Sequence, residues 1–209
     1  MVTIGVLAVQ GAFIEHIRKL NAVGVDSREV RLPGDFEDLD GLIVPGGEST
    51  TIGKLIDRFG LRDHIFAMAS EGKPLWGTCA GLILLAQEVD EDTRGKEQPL
   101  LQLMDLRVRR NAFGSQLDSF ETTLDVPILG DTPIPAVFIR APVVSDIGPD
   151  VEVLSRLPDS RIVAVRQGSI VGTAFHPELT DDDAFHRWFV ELVRAGRHER
   201  SVATPTFSH

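Results

Sequence analysis

The chain has 209 residues, 43% of them hydrophobic and 25% charged, with 21 Lys and Arg against 31 Asp and Glu for a formal net charge of -10. Such a chain can bury one full core and is not of disordered composition, and its acidity argues against a nucleic-acid backbone or an anionic membrane as main partner. A single cysteine excludes an internal disulfide framework and makes a reducing, cytoplasmic compartment the expectation.

From the N-terminus, Thr3 to Val9 reads as an apolar strand. It lacks the basic lead and cleavage site of a signal peptide, and no apolar stretch is long enough to span a bilayer. Ala12 to Val23 is a helix, with Phe13, Ile17 and Leu20 at helical spacing. Glu29 to Leu32 and Gly41 to Val44 follow as strands, the second apolar on both faces as a central parallel strand should be; Ser49 to Phe59 and Leu61 to Ser70 read as helices. This βα alternation predicts an α/β fold with a doubly wound, mostly parallel central sheet and ligands at the C-terminal strand ends.

The second half is strand-rich: Leu106 to Arg109, Phe120 to Leu124, Ala136 to Ile139, Val151 to Leu154, Ile162 to Val165 and Ile170 to Phe175, with Gln167-Gly168 as a tight hairpin turn. Antiparallel additions to the sheet are therefore expected. The last helix has Thr180 as its N-cap, Asp181, Asp182 and Asp183 in its first turn, and Phe185, Trp188, Phe189, Leu192 and Val193 on one face. Asp90 to Pro99 and the tail from Gly196 to His209 read as weakly ordered.

The chemistry centres on Gly77-Thr78-Cys79-Ala80-Gly81, between the buried run Pro74-Leu75-Trp76 and the apolar helix opening Leu82 to Ala86. A cysteine on such a turn sits at a helix N-terminus, where unpaired N–H groups and the helix dipole favour a thiolate and the glycines admit a substrate. The bland alternative is a small buried hydrophobe. His176-Pro177-Glu178 closes the apolar run Ile170 to Phe175; residues i and i+2 of an extended segment share a face, so Glu178 can hold one nitrogen of His176 while the other faces the sulfur. A metal pair is the rival, but no other His or Cys stands at ligand spacing, and no metal is expected. His16, His64, His186, His198 and His209 fall on helix surfaces or in the tail and read as solvated.

Pro45-Gly46-Gly47-Glu48-Ser49-Thr50 follows the strand Gly41 to Val44, and its glycines free N–H groups that could hold an oxyanion. Gly47 to Lys54 resembles a phosphate loop only superficially: the spacing between glycines is one residue too long, and Leu55 stands where Ser or Thr is needed. Two cationic segments, Arg109 to Gly114 and Phe138 to Pro142, each carry an arginine, Arg110 or Arg140, that could clamp a substrate carboxylate.

Together these segments resemble the class I (triad) glutamine amidotransferases, whose glutaminase domain carries a Gly-x-Cys-x-Gly elbow, a Pro-Gly-Gly loop and a late His-x-Glu. Finer features are similar to one branch, the glutaminase subunits of pyridoxal 5′-phosphate synthases: Ile4 to Leu7 leading into Gln10-Gly11, Pro45 to Thr51, Gly77 to Ala86, Arg110-Asn111 with Phe113-Gly114, Phe138 to Pro142, and Phe175 to Thr180. Gln102 stands where that branch leads one to expect glycine. The resemblance implies a flavodoxin-like glutaminase domain over residues 1–195 followed by a flexible tail over 196–209. It implies hydrolysis of L-glutamine by Cys79, His176 and Glu178 through a γ-glutamyl thioester, an oxyanion held by Gly47 and Ala80, and glutamine held by Gly46, Gly47, Glu48, Ser49, Arg110, Ile139 and Arg140. It implies no cofactor. The implied partner is a separate barrel-shaped synthase that consumes the ammonia to make pyridoxal 5′-phosphate (vitamin B6), with Gln10 and Gly11 on the docking face and an oxyanion loop that takes its working shape on docking. The rivals are the glutaminase subunit of imidazole glycerol phosphate synthase, a non-catalytic docking module of the same fold, and a cysteine hydrolase or peptidase.

Overall fold

The computed structural model describes residues 2–90, 98–110 and 119–203. Five strands and four helices alternate at first: β1 (Thr3–Leu7), α1 (Phe13–Ala22), β2 (Asp26–Val30), β3 (Gly41–Val44), α2 (Ser49–Arg58), α3 (Arg62–Ser70), β4 (Leu75–Thr78), α4 (Ala80–Leu85) and β5 (Ala86–Val89). Strands then dominate: β6 (Met104–Arg109), β7 (Ser119–Leu124), β8 (Ile134–Ile139), β9 (Val143–Ile147), β10 (Glu152–Arg156), β11 (Ile162–Gln167) and β12 (Ile170–Thr173), before the closing helix α5 (Ala184–Ala203).

The main sheet runs β2-β1-β3-β4-β12-β11-β9-β6-β5, with β10 paired to β11. Pairings from β2 through β1, β3 and β4 to β12 are parallel, whereas β11 pairs antiparallel with β12, β9 and β10. The expected mixed, mostly parallel architecture is thus present. β7 and β8 form a separate antiparallel hairpin. The central strands β3, β4 and β12 are buried at every residue, as strands covered on both faces must be. Trp76 of β4 stacks on Phe185 of α5 with ring centroids 4.9 Å apart, which seats α5 on the sheet.

Several elements differ from expectation. β5 and β9 are additional strands, and α4 is only six residues long before the chain turns extended at Ala86. The hairpin turn sits one residue later than Gln167-Gly168, since β11 keeps Gln167 and Gly168 takes a φ of 58°. α5 starts at Ala184, so the three aspartates precede it: Asp182 Oδ1 accepts the Ala184 N–H at 2.7 Å, while Thr180 Oγ1 accepts the Asp182 N–H at 3.3 Å. A carboxylate so close to the helix start takes over the capping expected of Thr180. α5 continues through Ala203, so residues 196–203 of the expected tail are helical, whereas 204–209 lie outside the described residues, as do 91–97 of the Asp90 to Pro99 segment.

Gln102 holds a φ of 54°, the left-handed conformation for which glycine is the natural residue, and its amide donates to the Gln87 carbonyl at 3.2 Å. That exposed hydrogen bond offsets only part of the steric cost of a Cβ there. Gln102→Gly is expected to stabilise the fold by about 0.5–1 kcal/mol in urea unfolding; a loss of stability would contradict this account of the turn.

Candidate active site

The elbow between β4 and α4 is built by two close approaches. A Cβ on Gly77 would lie 2.5 Å from the Gly81 carbonyl carbon, and one on Gly81 would lie 2.0 Å from the Val44 carbonyl oxygen, so both flanking glycines are needed for α4 to pack directly over β3 and β4. Between them Cys79 is held at φ 48° and ψ -100°, a strained conformation for a residue with a side chain. Its N–H donates to the Thr173 carbonyl of β12 at 2.7 Å, which fixes the turn against the neighbouring strand. α4 has less than two turns, so the helix dipole beside the sulfur is small.

His176 arrives by a different route from the expected strand end. β12 stops at Thr173, and Pro177–Leu179 form a turn of 3-10 helix. The His176 N–H donates to the Val137 carbonyl of β8 at 2.8 Å, and its Nδ1 lies 2.7 Å from Glu178 Oε1. The helical turn brings Glu178 under the ring where an extended segment had been expected to, and leaves Nε2 for the cysteine. Glu178 is buried at 4% exposure and His176 at 6%. Burial opposes a charged imidazole, but the interaction with Cys79 and the hydrogen bond and charge of Glu178 outweigh it, raising the His176 pKa to about 10. Burial likewise works against the Glu178 carboxylate, and His16 and His176 together hold its pKa below the ordinary value. Because part of the His176 shift comes from Cys79, Cys79→Ala is expected to move the His176 titration to lower pH; histidine NMR shifts followed against pH would read this directly, and an unmoved titration would contradict the pairing.

The Pro-Gly-Gly loop is tied to the loop after β1. Ala12 N–H donates to the Gly46 carbonyl at 2.9 Å, Glu48 N–H donates to Gln10 Oε1 at 2.9 Å, and Thr78 Oγ1 accepts the Gly46 N–H at 3.0 Å. Gly11, at φ 101°, could carry no Cβ, because that atom would lie 1.9 Å from Gly46 O. A Cβ on Gly46 would lie 2.4 Å from His176 Cε1 and 3.4 Å from Cys79 Cβ, so this glycine lets the loop lie against both. Glu48 caps α2, accepting from the Thr50 and Thr51 N–H groups, and also meets Arg110 at 3.4 Å.

These loops enclose a cavity of about 430 Å³ at the C-terminal strand ends. Gly46, Gly47, Glu48, Ser49, Cys79, Ala80, Arg110, Ile139, Arg140 and His176 all line it, with Gln10 and Gly11 at its edge, and Glu178 lies behind His176. Every expected site residue is thus brought together. Asn111, Phe113 and Gly114 lie outside the described residues. The Cys79 sulfur is 3.8 Å from the Ile139 carbonyl, and Arg140 follows at φ 43°.

Other residues beside the site carried no expectation of a role in it. Gln98 Oε1 accepts from Ser49 Oγ, Thr50 Oγ1 and Arg110 Nη1 at 2.9, 3.2 and 3.1 Å, joining the two sides of the cavity. Two histidines read as solvated are fully buried: His16 and His186 both have 0% exposure, and His16 Nε2 lies 3.5 Å from Glu178 Oε2. His64 is half-buried and stacks on Phe36, and His198 is exposed. No three His, Cys, Asp or Glu side chains among the described residues are grouped as metal ligands. No described helix is long and apolar enough to cross a membrane.

Residues 6–195 match the SNO glutamine amidotransferase family. The chain is similar to the pyridoxal 5′-phosphate synthase subunit PdxT of Herpetosiphon aurantiacus, 58% identical over 91% of this chain and 100% of the relative. The subunit of that name from Roseiflexus castenholzii is 52% identical over 91% and 100%. Among solved structures, one described as a glutamine amidotransferase superposes with a TM-score of 0.85 at 48% identity, over 91% of this chain and 98% of the other. PurLQS from Thermotoga maritima superposes with a TM-score of 0.65 at 18% identity, over 91% and 98%, a likeness of fold alone.

Proposed function

The chain belongs to the SNO glutamine amidotransferase family, and from that membership we propose that it is the glutaminase subunit of a pyridoxal 5′-phosphate synthase, releasing ammonia from L-glutamine for a separate synthase subunit. The observation that carries the reading is the meeting of Cys79, on its strained elbow, with a His176 held by buried Glu178 in a cavity fringed by Glu48, Arg110 and Arg140. Relatives named as that synthase's subunit, matched over their whole length, favour this pathway over imidazole glycerol phosphate synthase.

In this mechanism Cys79 Sγ attacks the side-chain amide carbon of glutamine, forming a C–S bond and an oxyanion set against the N–H groups of Gly47 and Ala80. His176, charged and oriented by Glu178, gives its proton to the nitrogen as the C–N bond breaks, and ammonia leaves. A γ-glutamyl thioester remains. His176, now neutral, takes a proton from water; the hydroxyl adds to the thioester carbon, the C–S bond breaks, and glutamate departs with the thiolate restored. Gly46, Glu48, Ser49, Arg110, Ile139 and Arg140 hold the amino acid, an arginine taking its carboxylate. No step calls for a cofactor.

Ammonia released into water would be lost as ammonium, so a barrel-shaped synthase docks over this face and receives it. Gln10 and Gly11 belong to the docking surface; because Gln10 accepts the Glu48 N–H and Gly11 lies against the Gly46 carbonyl, a partner pressing on them also sets the oxyanion loop. The complex works in the cytoplasm. The test supplies glutamine labelled at its amide nitrogen together with unlabelled ammonium to the chain and its synthase subunit. Pyridoxal 5′-phosphate carrying mainly the label is the expected product; dilution of the label to the level of the pool would contradict directed transfer, and no product from glutamine would contradict the function.

A further inference from the structure

His16 of α1 and His186 of α5 are buried ionisable groups for which the reaction above has no use. His16 Nε2 lies 3.2 Å from Thr78 Oγ1 and 3.5 Å from Glu178 Oε2, and its Nδ1 lies 3.0 Å from His186 Nε2. Thr78 Oγ1 in turn accepts the Gly46 N–H, so one imidazole touches both the carboxylate behind His176 and the hydroxyl that anchors the Pro-Gly-Gly loop.

Burial lowers the pKa of both histidines and so favours their neutral forms, each with one ring proton. Two arrangements are then open. A proton on His16 Nδ1 would point at His186 Nε2, force the His186 proton onto Nδ1, and leave the His16 Nε2 lone pair facing the Glu178 carboxylate. His186 Nδ1 is buried with no hydrogen-bond partner among the described residues, and an orphaned N–H there costs more than an orphaned lone pair. The opposite arrangement meets both demands: His186 Nε2–H donates to His16 Nδ1, and His16 Nε2–H faces Thr78 Oγ1 and Glu178 Oε2. It also turns an N–H, at 3.5 Å, toward Glu178 Oε2, which has no hydrogen-bond partner among the described residues.

We propose that His16 is a positioning residue of the glutaminase, locked by His186 in the Nε2–H tautomer, that sets Glu178 beneath His176 and couples it through Thr78 to the Gly46 loop. The inference rests on the glutaminase reading for its kinetic consequence. The charged and titratable groups acting on the pair are Glu178, His176, Glu15 and Lys19.

Two amides of equal polarity separate the ring's two nitrogens. Gln at position 16 can place its NH2 where Nε2 lies, whereas Asn reaches only as far as Nδ1, keeping the His186 contact and losing Glu178 and Thr78. In the full chain with its synthase subunit, His16→Asn is expected to lower kcat by about 10–100-fold with KM little changed, the size of loss common for outer partners of catalytic groups. The alkaline limb of its kcat/KM profile should move to lower pH, because a loosened Glu178 stabilises the His176 imidazolium less. His16→Gln should recover most of the rate and the profile, which a merely space-filling His16 would not predict.

A readout free of activity keeps this distinct from the glutaminase reading. Nitrogen NMR shifts of the unmodified chain should report His16 protonated at Nε2, and the His176 titration should fall further in His16→Asn than in His16→Gln. An Nδ1-protonated His16, or Asn and Gln variants that match in both rate and His176 titration, would overturn the proposal. If the unmodified chain hydrolysed no glutamine, the proposed function would fail while the NMR result still decided the inference.

Discussion

Cys79→Ala is expected to lower glutamine hydrolysis by at least about 10⁴-fold, because removing a covalent nucleophile leaves only binding and oxyanion stabilisation. Folding should survive. The side chain is small and 7% exposed, the sulfur meets only the Ile139 carbonyl at 3.8 Å and the His176 imidazole, and alanine tolerates φ 48° no worse than cysteine does. The expected cost is about 1 kcal/mol for the small cavity left behind. The synthase paired with this variant should still make pyridoxal 5′-phosphate from added ammonium, since only the source of nitrogen is lost. Failure with both glutamine and ammonium would show instead that the substitution damages docking.

Glu178→Gln should cost about 10³–10⁴-fold in kcat, comparable to neutralising the acid of other buried triads. The amide nearly keeps the carboxylate's shape but removes the charge that favours the His176 imidazolium. Its NH2 group also has nowhere suitable to point: toward His176 Nδ1 it would impose the wrong tautomer, and toward His16 Nε2 it would set donor against donor. The His176 titration should fall accordingly. A variant within tenfold of the unmodified rate would mean that Glu178 serves only the packing of the turn after β12.

Most of the parallel half of the fold was legible because its elements carry one unmixed period; the exception is β2, expected over Glu29 to Leu32 but running over the polar, largely exposed Asp26–Val30, where only pairing with β1 marks a strand. Gly41 to Val44 is apolar at every position and became a strand with those bounds, and the Phe13, Ile17, Leu20 spacing marked α1. The missed strands have no such signal. Ala86–Val89 continues without a break from the apolar run of α4, and Val143–Ile147 takes its place through pairing with distant β6 and β11 rather than through alternation of its own.

At the site, local motifs led to the cysteine, the histidine and the glycine loops because each needs a particular residue at a particular turn. Glu178 does meet the His176 ring, but on a turn of 3-10 helix rather than on an extended segment. The buried histidines were misread on residue type. The signal was nonetheless present, since His16 falls between Phe13 and Leu20 on the inward stripe of α1 and His186 sits between Phe185 and Phe189. Helical period outranked polarity at both, because each imidazole found a partner in the other. Gln98 had no local signal, as its role arises only where it meets Ser49, Thr50 and Arg110.

The glutaminase stands or falls on ammonia release from L-glutamine, measured for the full chain alone and with its pyridoxal 5′-phosphate synthase partner, with Cys79→Ala in parallel. Release should rise when the partner is added and disappear in the variant. No release in the presence of the partner, or release that persists without Cys79, would contradict the glutaminase reading.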